Sequence, residues 1–460
     1  MSRGPGKRQR RRGSSSWPLG TGGPSLHGGW VVGLGLLVVG GIVYGQSQPP
    51  PLGQVEHTAT AVAQRAAADE VAAPAADAPL AIAEDTLVAV RVTPGTAALR
   101  AELLARAQDV WSERLREPTV DVVLDAAGLA WVGEHDLSIE VIVPDVLAVA
   151  EAERERLAQV EVARPSPEQW FSEYRDLPTI HAYLDTLAQL RPDLAQVETV
   201  GSSLEGRLLR ALHVRGKGQR RFGMVVDGGL HAREWIAMAV STCVADRLLR
   251  GYDQDERIRD FVDQSELWVL PVANPDGYVH SWKSDRYWRK NRRDGHGVDL
   301  NRNFGLAWGG DGSSDKPSSQ VYRGEGPFSE PESAALRDLM VAHDIDAHID
   351  FHSYGQMLLH PWSHTRTRPR DYAALKKTGK AMVDVMGKPH GTRYRLMSAQ
   401  SLYPAAGTLM DWAYGELDAK SFVIELRPRG GGGFVLPPEQ IVPTCDEGLA
   451  AVLTVGESVR

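Results

Sequence analysis

Residues 231 to 234 read His-Ala-Arg-Glu, an imidazole and a carboxylate three positions apart. On a helical turn, positions i and i+3 share a face, so the pair can offer one nitrogen and one oxygen to a single ion. Alone the spacing is a weak signal, because a chain with 14 histidines and 59 acidic residues should show such a pair by chance. A catalytic metal centre of the zinc type needs a third protein ligand and a position open to water. "DAHIDFHSYGQ", residues 346 to 356, offers His352 at the end of a strand-like apolar run, with His348 and His343 as competitors. His348 would share a strand face with His352 but sit inside the element, where a hydrogen-bonded core histidine is the commoner outcome, so His352 is preferred.

The elements that must position these groups are legible in the same stretches. "FGMVVDGGL", residues 222 to 230, reads as a buried strand breaking into a turn at Gly228-Gly229, and the apolar run from Trp235 to Leu249 reads as a buried helix. The turn would deliver His231 to a cleft. Earlier in the chain, "TLVAVRV", "TVDVVL" and "SIEVIV" read as strands. "TAALRAELLARAQDVWSER" puts Leu99, Leu103, Val110 and Trp111 on one helical face, and "PDVLAVAEAERERLA" opens with Pro-Asp, a good helix start. These elements make a small α+β unit over residues 83–160. The aperiodic "ARPSPEQW" marks a boundary near Arg164, leaving residues 161–460 for one large α/β domain.

Composition narrows the function classes. The 460 residues carry a net charge of −8 with no recurring basic stretch in the folded part, so nucleic acid is not expected as a partner. Cys243 and Cys445 are too few for a disulfide framework or a cysteine-built zinc site, though the two can pair if the fold brings them together. Residues 1–27 form a leader containing "KRQRRR", followed by an uncharged apolar segment over residues 28–45 near the lower limit for a membrane span. The charge bias places the remainder of the chain on the outer side, extracellular or periplasmic, either anchored by residues 28–45 or secreted after cleavage. Residues 46–82 are Pro- and Ala-rich and read as a linker.

Six stretches in order, "GGLHAREWIA", "YWRKNRR", "GVDLNRNF", "DFHSYGQ", "SLYPAAGTLMDW" and "FVIELRPRG", resemble the motifs of zinc carboxypeptidases of the pancreatic A/B type. The resemblance runs from about Trp170 to the C-terminus, and the smaller unit resembles that family's activation peptide. It implies a mixed, mostly parallel twisted sheet flanked by helices, preceded by a small α+β open-sandwich pro-domain. It also implies one zinc ion per chain, held by His231, Glu234 and His352. By motif position, Glu425 matches the catalytic base and Arg289 the residue that polarises the scissile carbonyl. Asn301, Arg302 and Tyr403 match the group that holds the substrate's terminal carboxylate.

The residue types suit these implied roles. A carboxylate at Glu425 can take a proton from zinc-activated water and pass it to the leaving amine. Arg289 cannot deprotonate and can stabilise an oxyanion, while the planar fork of Arg302 suits a carboxylate. Asp299 is a candidate partner for a ligand histidine, Arg233 for substrate further from the cut, and Glu205 has a structural role. The resemblance also implies that Met410, just before the Asp411-Trp412 pair, lines the pocket for the C-terminal side chain, and an apolar residue there suits hydrophobic or aromatic C-terminal residues, because Lys or Arg would find no buried carboxylate. Two features depart from the family pattern. "NRRDGHG" lacks the cysteine of a family disulfide, so other contacts must hold that loop, and Arg164 precedes proline, leaving Arg154, Arg156 or Arg175 as alternatives for an activating protease. The sequence thus predicts a zinc exopeptidase acting on peptide or protein C-termini and made as a latent precursor. The alternatives are an inactive carboxypeptidase-like binding module and a zinc deacylase of small acyl-amino acids.

Overall fold

Alternating apolar residues near the start of the described chain pair as a four-stranded antiparallel sheet of order β2-β3-β1-β4. These strands are β1 (Val88–Thr93), β2 (Asp109–Val110), β3 (Val120–Leu124) and β4 (Ser138–Val143). The computed structural model describes residues 85–112, 118–159 and 167–459. The expected leader, membrane segment and linker, and Arg164, lie outside the described residues. Among the described residues no helix is long and apolar enough to cross a membrane.

One element differs from its expected form. The helix Ala97–Arg106 stops before Val110 and Trp111, which the periodicity had placed on its apolar face. Val110 instead lies in β2, paired with Val122, and Trp111 follows it, its amide donating to the Asp121 carbonyl at 2.9 Å. Tertiary contacts explain the change. The Trp111 ring stacks on Tyr287 at 5.1 Å and meets Phe434 edge-on at 5.4 Å, while its indole N–H donates to Asp109 at 3.0 Å. Burying a large aromatic against two others outweighs a few tenths of a kcal/mol of helix propensity.

The second sheet has eight strands in the order β11-β10-β12-β9-β7-β8-β6-β5. They are β5 (Ala195–Ser202), β6 (Leu208–Arg215), β7 (Phe222–Gly228), β8 (Ser265–Leu270), β9 (Ile345–Ser353), β10 (Met357–His360), β11 (Arg395–Ser398) and β12 (Lys420–Leu426). At the centre, β12, β9, β7 and β8 run parallel, with antiparallel neighbours on both sides. Every residue of β7 is buried, as a strand covered on both faces must be. Met224 and Val226 face one apolar cluster, with the helices Leu177–Leu190, Trp235–Gly251 and Ile441–Glu457, while Val225 faces another with the helix Pro331–Ala342. This alternation with period two makes β7 the floor of both layers.

Cys243 and Cys445 form a disulfide between the helices Trp235–Gly251 and Ile441–Glu457, across a sequence separation of 202. A crosslink over so long a loop restricts the unfolded chain strongly, and such bonds persist in oxidising compartments. The cysteine-free loop is held by polar contacts instead. Asn291 Oδ1 accepts from the Val298 amide at 2.7 Å, its Nδ2 donates to Glu330 at 2.7 Å, and Arg293 donates to the same carboxylate at 3.0 Å.

Candidate metal centre and substrate cleft

Because β7, β9 and β12 are parallel, their C-terminal ends lie along one edge of the sheet, where open α/β sheets place their ligands. The positions of four sequence-predicted residues result from that geometry. His231 and Glu234 come just after β7, His352 is the penultimate residue of β9, and Glu425 pairs across from it on β12. Gly229 makes the exit from β7 possible with φ of 74°, where an added Cβ would approach Met238 to 2.8 Å.

His231, Glu234 and His352 are buried, and one ligand atom from each lies within 4.8 Å of the others. Glu234 stands between the imidazoles, with Oε1 2.9 Å from His231 Nδ1 and Oε2 2.9 Å from His352 Nδ1. Burial alone would raise the Glu234 carboxyl, but the two histidines outweigh it and hold it below the usual range. His352 is displaced upward: burial opposes its charge, and Asp350 and Glu234 more than compensate. The cluster therefore favours a positive charge at its centre.

Each imidazole is also gripped from behind. His231 Nε2 lies 3.2 Å from Asp299, and His352 Nε2 lies 2.8 Å from Asp350. Such carboxylates fix the ring and its tautomer, leaving the Nδ1 lone pair for an ion. Asp299 was among the expected residues; Asp350 was missed. Its signal was present in the sequence, since a residue two positions before a strand-borne ligand lies on the same face. His348, the rejected competitor, is a core histidine bonded to Ser421 at 2.7 Å and Asp227 at 2.8 Å. His343 lies elsewhere, with its ring 4.4 Å from that of Trp268.

Asp299 also gathers the neighbouring cations. It accepts from Arg289 at 2.9 Å and from the Asn301 amide at 2.9 Å, and Arg302 lies 3.8 Å away. Burial opposes ionisation of Asp299, yet Arg289, Arg302 and His231 hold its carboxyl well below the usual range. Asn301 accepts from the Leu409 amide at 3.0 Å, tying this turn to the helix that carries Met410. Arg302 is fixed by the carbonyls of Gly312 and Asn301 at 2.8 and 2.7 Å, with its guanidinium 5.7 Å from the Tyr403 ring centre. A narrow cavity of about 30 Å³ joins Asn301, Arg302, Tyr403, Met410 and Glu425. Arg233 is buried against the first sheet instead, donating to Asp109 at 2.9 Å. Glu205 is exposed in the β5–β6 turn and pairs with Arg207, outside both cleft linings.

Residues 180–451 match the sequence profile of the zinc carboxypeptidases, more than half of the chain. The chain belongs to the zinc carboxypeptidase family. It is 33% identical to carboxypeptidase A1 of Mus musculus over 334 residues, covering 71% of this chain and 80% of that one. It is 39% identical to carboxypeptidase B of Astacus astacus over 304 residues, 63% of this chain and 98% of that one. Among solved structures, thrombin-activatable fibrinolysis inhibitor superposes with a TM-score of 0.74 at 30% identity, over 81% of this chain and 99% of that one. Carboxypeptidase A from Helicoverpa armigera superposes with a TM-score of 0.72 at 26% identity, over 82% and 98% of the two chains.

As a zinc carboxypeptidase, the chain is a metallopeptidase with zinc as its cofactor. Its donor set fits that metal. Two imidazole nitrogens and one carboxylate are a common three-ligand catalytic zinc set, and the acids behind the imidazoles supply the orientation such sites require.

Proposed function

We propose that this carboxypeptidase removes hydrophobic or aromatic residues from peptide C-termini, and that it is made as a latent, exported precursor. The observation that supports this most is the convergence of a His-Glu-His donor set, a strand-end carboxylate and a fixed guanidinium on one edge of the sheet. Zinc held by His231, Glu234 and His352 would polarise the scissile carbonyl and lower the pKa of water towards about 7. Glu425, beside His352 in register, takes the proton of the attacking water and returns it to the leaving amine. Arg289 offers N–H groups to the developing oxyanion while Asp299 orients it. Arg302 and Asn301 hold the terminal carboxylate, and Tyr403 closes over the substrate.

Specificity rests on Met410. It is buried with Leu359, Ala399, Leu402 and Val423, an apolar lining that favours aliphatic and aromatic side chains. Asp411 is unavailable to a cationic substrate, because it accepts from the Ser363 and His364 amides and from the His364 ring. Release of C-terminal Phe or Leu is expected to exceed that of Lys or Arg by about 100-fold in kcat/KM. A panel of peptides differing only in the last residue checks this, and equal or faster release of Lys would overturn it.

Latency is supported by the way the first sheet and the helix Val146–Gln159 that follows it meet the catalytic unit. Asp109 occupies Arg233, Trp111 covers Phe434, and Arg286 pairs with the buried Glu153. The long-loop disulfide supports export.

A further inference from the structure

The cleft continues upstream of the bond to be cut. The narrow cavity around Met410 shares Tyr403 and Glu425 with a larger one of about 270 Å³. A peptide whose last side chain lies at Met410, with its scissile bond beside Glu425, must send its preceding residues through that larger space. On the sheet side of this path stand two exposed arginines, Arg395 at the start of β11 and Arg429 just after β12. Neither makes an ion pair among the described residues; the Arg395 guanidinium lies 3.6 Å from the Met357 sulfur. The acids that share the lining are otherwise engaged, Glu234 by the two histidines and Glu425 by its assigned proton transfer.

The opposite wall carries the matching charge. The first sheet presents the Asp121 carboxylate to the cleft, with Asp109 beside it on the neighbouring strand. Asp109 accepts from Arg233 at 2.9 Å, and Asp121 accepts from the Tyr354 hydroxyl at 3.0 Å. Asp121 is itself neutralised by Arg91, in a paired contact of 2.8 and 2.9 Å from within its own sheet. The unit that covers the cleft thus meets it with acids, while the cleft keeps two further cations unpaired among the described residues.

We propose that Arg395 and Arg429 make this a site for acidic side chains one or two residues upstream of the scissile bond, so that peptides ending in an acidic segment before a hydrophobic residue are the preferred class. This rests on the carboxypeptidase reading of the cleft and names the substrates that it takes. Both arginines are exposed, so the effect is moderate and screened by salt.

The test uses the zinc-loaded chain, expressed at full length and then processed by limited proteolysis, with N-blocked peptides ending in Xaa-Ala-Phe and Ala-Xaa-Phe, where Xaa is Glu, Gln or Lys. Glu is expected to exceed Lys by about tenfold in kcat/KM at one of the two positions, with Gln between. The ratio should fall towards one at about 1 M salt. It should also collapse in the Arg395→Gln, Arg429→Gln double variant, while Arg370→Gln, a surface arginine paired with Asp418 outside the cleft, leaves it intact. Equal rates for Glu and Lys in the parent chain, or a preference that survives the double variant, would overturn the inference. Release of Phe from the Gln peptides with no charge preference would do so while leaving the carboxypeptidase reading standing. Failure to cleave any of the peptides would remove that reading and the inference together.

Discussion

Replacing Glu425 by Gln is expected to leave zinc binding intact and to reduce kcat by a factor of about 10³ to 10⁴. The reasoning is local. Glu425 lies on β12 directly across from His352 on β9, so its carboxylate stands at the edge of the donor cluster without being one of its three members. Glutamine keeps the length and the hydrogen-bonding oxygen but can neither accept the water proton nor return it to the amine. The loss therefore falls on kcat, with KM for a peptide ending in Phe changing little, because the proposed hold on the terminal carboxylate, by Arg302 and Asn301, is untouched. Undiminished turnover in a variant that still binds one zinc would remove Glu425 from the mechanism.

Replacing His352 by Ala should act at the earlier step, metal binding. A two-donor remnant of His231 and Glu234 is expected to hold zinc at least about 100-fold more weakly, and activity should fall in parallel at limiting zinc. The substitution has a structural cost as well. Asp350 lies 2.8 Å from the His352 ring and Glu234 lies 2.9 Å from it, and both carboxylates are buried. Without the imidazole these acids lose a counter-charge, so a lower melting temperature should accompany the loss of metal. Equilibrium dialysis with metal analysis, together with circular dichroism to establish the folded fraction, separates the two effects. A folded His352→Ala chain that retains parental zinc affinity would show that the third ligand has been misassigned.

Much of this site was legible in the sequence because its residues sit at element ends, where periodicity stops and polar residues succeed apolar runs. His231 after "FGMVVDGG" and His352 at the end of "AHIDF" both stand out for that reason. The preference for His352 over His348 came from strand position alone, and the buried bonds of His348 to Ser421 and Asp227 account for it as core. Glu425, Arg289 and the Asn301-Arg302 pair had weaker individual signals and were reached through the motif set. Long-range partnerships were not legible. No spacing rule joins Asp299 to His231, Asn291 to Glu330, or Cys243 to Cys445 across 202 residues. Trp111 shows the same limit inside one element. Its helical periodicity was real, but the pull of Tyr287 and Phe434, far along the chain, decided its conformation.

The electrostatic design also emerges only in three dimensions. Asp299 and Asp350 each stand behind one ligand histidine, and Asp299 in addition restrains Arg289. One acid thus orients part of the metal centre and the group assigned to the oxyanion, coupling the two by a single buried carboxylate. This arrangement pre-organises charge in a water-poor site, where it is worth more than on the surface.

The most direct test is the fate of a peptide ending in Phe, followed by mass spectrometry, with the processed chain in its zinc-loaded and chelator-treated forms. Loss of one C-terminal Phe, dependent on zinc, restored by adding it back, and blocked when the C-terminus is amidated, is the predicted result. Cleavage that persists without metal, or that proceeds equally on the amidated peptide, would contradict a zinc exopeptidase that recognises its substrate by the terminal carboxylate.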